Sequence, residues 1–140
     1  MRRYLIPLLL LVSLALAACS GASSGPNEIV VKAEALKYSP ATIEVTAGQP
    51  VKISFQNNDS MDHDFSIVEI PMVMSATAEP MAGHDMSGMS EEPQLHMATL
   101  MNQSATLEFT PSKPGTYEFF CTVAGHKEAG MKGTLVVKAP

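Results

Sequence analysis

The stretch 50–56 constrains this chain more than any other feature: Val51, Ile53 and Phe55 alternate with Lys52, Ser54 and Gln56. A two-residue period puts apolar side chains on one face and polar ones on the other, which suits a half-buried strand and not the 3.6-residue repeat of a helix. Runs of similar character recur at 28–34 (EIVVKAE), 42–47 (TIEVTA), 63–70 (HDFSIVEI), 104–110, 115–121 and 133–138. Ala47-Gly48-Gln49-Pro50 supplies a turn between two of them. Seven short strands without a convincing amphipathic helix predict an all-β, antiparallel sandwich of about seven or eight strands. The 140 residues leave room for one such domain. Phe55, Phe65, Phe109 and Phe119 are expected in its core, with Tyr38 packed at a strand entrance.

The ends of the chain have a different character. Arg2 and Arg3 precede a 14-residue apolar run from Leu5 to Ala18, short of the roughly 20 residues that a membrane-spanning helix needs. This is the pattern of an export signal. Leu16-Ala17-Ala18-Cys19 resembles the bacterial lipobox, in which the cysteine is lipidated and becomes the first residue of the mature chain. Residues 1–19 are therefore expected to be a lipoprotein signal. Residues 20–27 (SGASSGPN) have the composition of a flexible linker, and 28–140 form the folded domain, facing the periplasm or the cell exterior.

Removal of the signal leaves seven lysines against 14 acids. Nine of those acids and no Lys or Arg lie between Lys52 and Lys113. Nucleic acid is excluded as a partner by this balance. An acidic face favours cations or a basic protein. With Cys19 lipidated, the domain keeps one thiol, Cys121, in an oxidising compartment where unpaired thiols are normally avoided. Metal ligation accounts for it.

Around that thiol the chain reads Cys121-Thr122-Val123-Ala124-Gly125-His126-Lys127-Glu128-Ala129-Gly130-Met131, a C-x4-H-x4-M spacing at the end of one predicted strand and the start of the next. Thiolate, imidazole and thioether converging on one point select copper, with two His and one Cys in a plane and a weak axial Met. His63 supplies the second imidazole, since it follows the turn Asn57-Asn58-Asp59-Ser60 and opens a strand able to lie beside the C-terminal loop. Gly125 and Gly130, each one residue before a proposed ligand, let that loop turn tightly.

These residues resemble the cupredoxins, the blue copper family that includes plastocyanin, azurin, auracyanin and halocyanin, over roughly residues 28–138. The family has an early His after an Asn-rich turn, then Cys, His and Met on one late loop. The resemblance implies a Greek-key β-sandwich and one type 1 copper held by His63, Cys121, His126 and Met131. Two positions depart from the pattern: Asp62 stands where azurin has a Gly whose carbonyl faces copper, and Asp64 stands where the best-known members have Asn. The implied activity is one-electron transfer between membrane-associated redox partners, with transient contacts, by a monomer tethered through Cys19.

Residues 71–99 interrupt the strand rhythm with Pro80, Pro93, Gly83 and Gly88, and are expected to form a long loop or insertion. Six methionines and two histidines lie within it. Met72, Met74, Met81, His84, Met86, Met89, His96 and Met97, with Met101 just beyond, resemble the Met/His-rich segments of extracytoplasmic copper-resistance proteins, and thioethers suit Cu(I). Copper homeostasis, delivery or resistance is therefore the second expectation. An enzyme is not expected, because catalytic cupredoxins need a second copper centre and only His84 and His96 remain to build one.

Overall fold

The computed structural model describes residues 25–78 and 92–140. These residues form ten strands: β1 (Asn27–Glu34), β2 (Lys37–Ser39), β3 (Thr42–Thr46), β4 (Val51–Asn57), β5 (His63–Ile67), β6 (Met72–Ala78), β7 (Leu95–Thr99), β8 (Ser104–Pro111), β9 (Gly115–Phe120) and β10 (Lys132–Lys138). Two five-stranded sheets result, ordered β2-β1-β4-β8-β6 and β3-β10-β9-β5-β7. The all-β sandwich read from the sequence is the fold observed.

Two details differ from that reading. The sandwich is mixed and not wholly antiparallel, because β1 runs parallel to β4 and β3 parallel to β10. The chain changes sheet at every connection except β1–β2 and β9–β10. The chain leaves the first sheet along β2, antiparallel to β1, and after its excursion through β3 re-enters it along β4 in the direction of β1, a crossover of the kind that parallel neighbours require.

The second correction concerns residues 71–99, whose two ends are strands. Residues of β6 pair antiparallel with β8, Met72 opposite Pro111 and Ala78 opposite Leu107, with register shifts on either side of Met74. The shifts explain why no clean alternation marks this segment, since a bulge adds residues on one strand only. At the other end, β7 pairs with β5, His63 opposite Thr99 and Ile67 opposite Leu95. Of the four breakers, Pro93 precedes β7, and Pro80, Gly83 and Gly88 lie outside the described residues.

The core follows the alternation. In β4 every second residue, Val51, Ile53, Phe55 and Asn57, is buried. Phe55, Phe65, Phe109 and Phe119 are all inside, each contributing roughly 1.5–3 kcal/mol by leaving water. Phe65 and Phe119 stack across the second sheet with centroids 4.7 Å apart. Tyr38, on the short β2, packs its edge against Phe119 at 5.1 Å, and its hydroxyl donates to the backbone carbonyl of Asp64. The hairpin joining β1 to β2 turns through Ala35 and Leu36, both at positive φ (50° and 59°), the backbone of a tight two-residue hairpin loop.

Candidate metal centre

Strand phase carries two of the proposed ligands to one end of this core. His63 shares the inward phase of β5 with Phe65 and Ile67, and Cys121 follows Phe119 by two residues, so both continue inward rows past the stacked phenylalanines. Both are buried, at 0% and 1% exposure. Beyond Cys121 the chain makes tight turns: the His126 N–H donates to the Val123 carbonyl at 3.0 Å and the Ala129 N–H to the Gly125 carbonyl at 3.0 Å. Gly125 and Gly130 take φ of 83° and 101°, a region that residues with a Cβ adopt only with strain. The loop closes where the Cys121 N–H meets the Met131 carbonyl at 3.1 Å and the Met131 N–H meets the His126 carbonyl at 2.9 Å. Met131 is wholly buried beside this closure.

Three donor atoms now face one another. His63 Nδ1 lies 3.2 Å from His126 Nδ1, and Cys121 Sγ lies 3.9 Å from His63 Nδ1 and 3.4 Å from His126 Nδ1. A triangle with those sides has a centre about 2 Å from every corner, the length of a metal–imidazole bond. Two imidazoles and a thiolate in one plane, next to a buried thioether, are the donor set of a blue-copper centre. Among the described residues, His, Cys, Asp and Glu side chains form no other such cluster.

The electrostatics of these groups suit metal binding. Burial pushes the Cys121 thiol up to about 12, with the charge of Asp64 adding to it, so without metal the sulfur keeps its proton and ligation must displace it. Burial, then the neighbouring His63, lowers His126 below the ordinary histidine value, leaving its ring neutral with a lone pair at neutral pH. Asp64 is fully buried. Its Oδ1 accepts the Thr122 N–H at 2.9 Å and the Ser66 hydroxyl at 2.8 Å, and its Oδ2 accepts the Thr122 hydroxyl at 2.6 Å. A carboxylate thus joins the two ligand-bearing segments.

The accessory set separates. Met97 is 1% exposed and lies in the core, in register with Phe65. Met97, one of the methionines read as an accessory Cu(I) ligand, thus has its thioether turned inward by the phase of β7. Met72 is half-buried against the same core, whereas Met101 is exposed. His96 is half-buried, its Nδ1 2.9 Å from the Ser66 hydroxyl. Met74 lies on the bulged part of β6. Met81, His84, Met86, Met89 and Cys19 lie outside the described residues.

Residues that the sequence reading did not single out complete the surroundings. Thr122 and Ser66 serve Asp64, and Asp59 sits 3.3 Å from the outer nitrogen of His63. The only local sign of the last is an acid four residues ahead of a proposed histidine ligand. Asp62 is turned the other way, its Oδ1 accepting the Met101 N–H at 3.0 Å. Glu118 pairs with Lys127 at 2.7 Å, whose ammonium lies 3.8 Å above the Phe120 ring.

This chain belongs to the cupredoxin-like domain family, whose pattern matches residues 7–137. It is a copper protein of the kind that carries electrons or serves copper resistance. It is 31% identical to Auracyanin-A of Chloroflexus aurantiacus, an alignment covering 98% of this chain and 97% of that protein. It is 30% identical to the copper-resistant cuproprotein CopI of Rubrivivax gelatinosus over 78% of this chain, and spans 64% of the CopI length. Among solved structures, auracyanin B matches at TM-score 0.59 and 24% identity, covering 80% of this chain and 88% of that one. Reduced auracyanin from Roseiflexus castenholzii matches at 0.60 and 24%, covering 81% and 98%. At that identity the structural likeness speaks for the fold.

Proposed function

We propose that this protein is an exported one-electron carrier, tethered to a membrane through lipidated Cys19 and exchanging electrons with transient protein partners as a monomer. The observation that carries the reading is the triangle of His63, Cys121 and His126 donors, built at the end of a rigid aromatic core. Bound copper supplies a single electron on passing from Cu(I) to Cu(II). The chain supplies a cage that changes little between the two states. His63 is locked in a wholly buried strand, and Met131 is linked by backbone hydrogen bonds to both Cys121 and His126. His126, half-buried on its loop, is the ligand nearest solvent and the route by which a partner's electron reaches the site. Met131 would add a thioether donor that tunes the potential of the bound copper. The near-full-length similarity to Auracyanin-A supports this reading. Self-contained catalysis is not part of the proposal, because the four histidines of the chain leave only two outside the centre.

A second reading, copper handling, is favoured by the similarity to CopI and by the Met/His bias between β6 and β7. Copper titration of the processed chain, followed by visible and electron paramagnetic resonance spectra, separates the two. Electron transfer predicts one equivalent bound with an intense thiolate-to-copper band and narrow hyperfine splitting, both lost in Cys121→Ser. Weak colour with several Cu(I) equivalents, removed by deleting residues 79–91, would make copper handling the main role.

A further inference from the structure

The two ring nitrogens of His63 face different neighbours. Nδ1 looks into the donor triangle, 3.2 Å from His126 Nδ1 and 3.9 Å from Cys121 Sγ. On the far side, Nε2 lies 3.3 Å from Asp59 Oδ2. A neutral imidazole carries one N–H, and an ionised carboxylate can only accept. The Asp59 contact therefore calls for the proton on Nε2 and leaves Nδ1 with its lone pair.

The carboxylate is itself held in place by backbone. Its Oδ2 also accepts the Ala35 N–H at 3.0 Å, from the positive-φ turn between β1 and β2. Its Oδ1 accepts the Ser60 N–H at 2.8 Å. The Asp59 N–H donates to Asn57 Oδ1 at 3.0 Å, and Asn57 Nδ2 donates in turn to the carbonyls of Met61 and Leu100 at 2.8 and 3.1 Å. Asp59 thus meets His63 from a turn braced on three segments, with its side chain only 18% exposed.

We propose that Asp59 is a positioning residue that holds His63 as the Nε2–H tautomer, bares Nδ1 toward the metal, and raises the donor strength of the ring so that the centre favours Cu(II) over Cu(I). The proposal rests on the reading of His63 as a copper ligand. A carboxylate hydrogen-bonded to a ligating imidazole increases its basicity, and the divalent ion gains most from a stronger donor. This influence adds to that of Asp64, whose carboxylate lies 3.7 Å from Cys121 Sγ.

The test has a metal-free and a metal-loaded arm. Proton–nitrogen correlation spectra of the metal-free protein should show the His63 ring as a single Nε2–H tautomer, giving way to a mixture in Asp59→Ala. In the loaded protein, that variant should lose Cu(II) affinity by roughly tenfold or more relative to Cu(I), and a tenfold change corresponds to a rise of about 59 mV in potential. Asp59→Asn, which keeps an acceptor for Ala35, provides the same comparison if Asp59→Ala does not fold. Its potential should also rise. Asp62→Asn removes a neighbouring charge that does not touch the ring, and should leave tautomer and relative affinity unchanged. A ring that keeps its tautomer in Asp59→Ala, or an equal rise in Asp62→Asn, would overturn the proposal. Absence of the blue spectrum in the parent protein would instead overturn the copper-ligand reading, with the metal-free tautomer still open to measurement.

Discussion

The carboxylate of Asp64 clamps Thr122, accepting its backbone N–H at 2.9 Å and its hydroxyl at 2.6 Å. The same carboxylate lies 3.7 Å from Cys121 Sγ, so one buried group sets both the spacing of the ligand segments and the charge at the sulfur. Asp64→Asn keeps the shape and removes the charge. Voltammetry of the copper-loaded variant should give a higher potential, because a negative charge at this distance favours the more oxidised metal. Asp64→Ala also removes the acceptor shared by Thr122 and Ser66, and should cost about 1–3 kcal/mol in urea unfolding.

Gly133 sits against the aromatic layer beneath the site. A Cβ there would stand 2.2 Å from Phe119 Cζ and 2.6 Å from the Ala41 carbonyl oxygen. The ring can shift but the backbone oxygen cannot, so Gly133→Ala should destabilise by roughly 1–3 kcal/mol through overpacking. Because Phe119 precedes Cys121 by two residues in the same inward row, the blue absorption of the loaded variant should broaden as well. An unchanged urea midpoint would show that Phe119 and the Ala41 backbone yield more easily than their packing suggests.

Methionines of the 71–101 region should divide by burial. Met97→Ala empties a fully buried position and should cost about 2–5 kcal/mol, without altering the number of Cu(I) ions bound in titration. Met101→Ala, at an exposed position, should lie within about 0.5 kcal/mol of the parent. A loss of bound Cu(I) on replacing Met97 would contradict its assignment to the core.

Alkaline pH should weaken the metal-free fold. Burial raises Tyr38 far above its ordinary value of 10.0 and raises Cys121 from 9.0 to about 12. For both acids the folded state holds its proton to higher pH than the unfolded chain. Their contribution is therefore fully present below about pH 9 and is lost as pH rises from there, by about 1.4 kcal/mol per pH unit for each group once its unfolded form ionises. Urea midpoints of the metal-free protein at pH 8 and pH 10.5 check this. Tyr38→Phe should flatten the slope, and equal midpoints in the parent would contradict it.

What could be read from the sequence alone was whatever neighbouring residues encode. The alternation in 51–56 marks β4 because each side chain's face is settled by the one before it. The spacing of Cys121, His126 and Met131, with a glycine ahead of the last two, places three donors on one short loop by local geometry. The assignment of His63 to that loop rested on a weaker local sign, its place after a turn at the head of a predicted strand, which the family resemblance reinforced. Tertiary structure decided the rest: the parallel pairing of β1 with β4, the bulged β6 within an apparent loop, the inward phase of Met97, and the approach of Asp59 and Thr122 to the ligands. These depend on which strands become neighbours across long stretches of chain. Such contacts form only when the whole apolar surface is buried at once, and no local pattern records them.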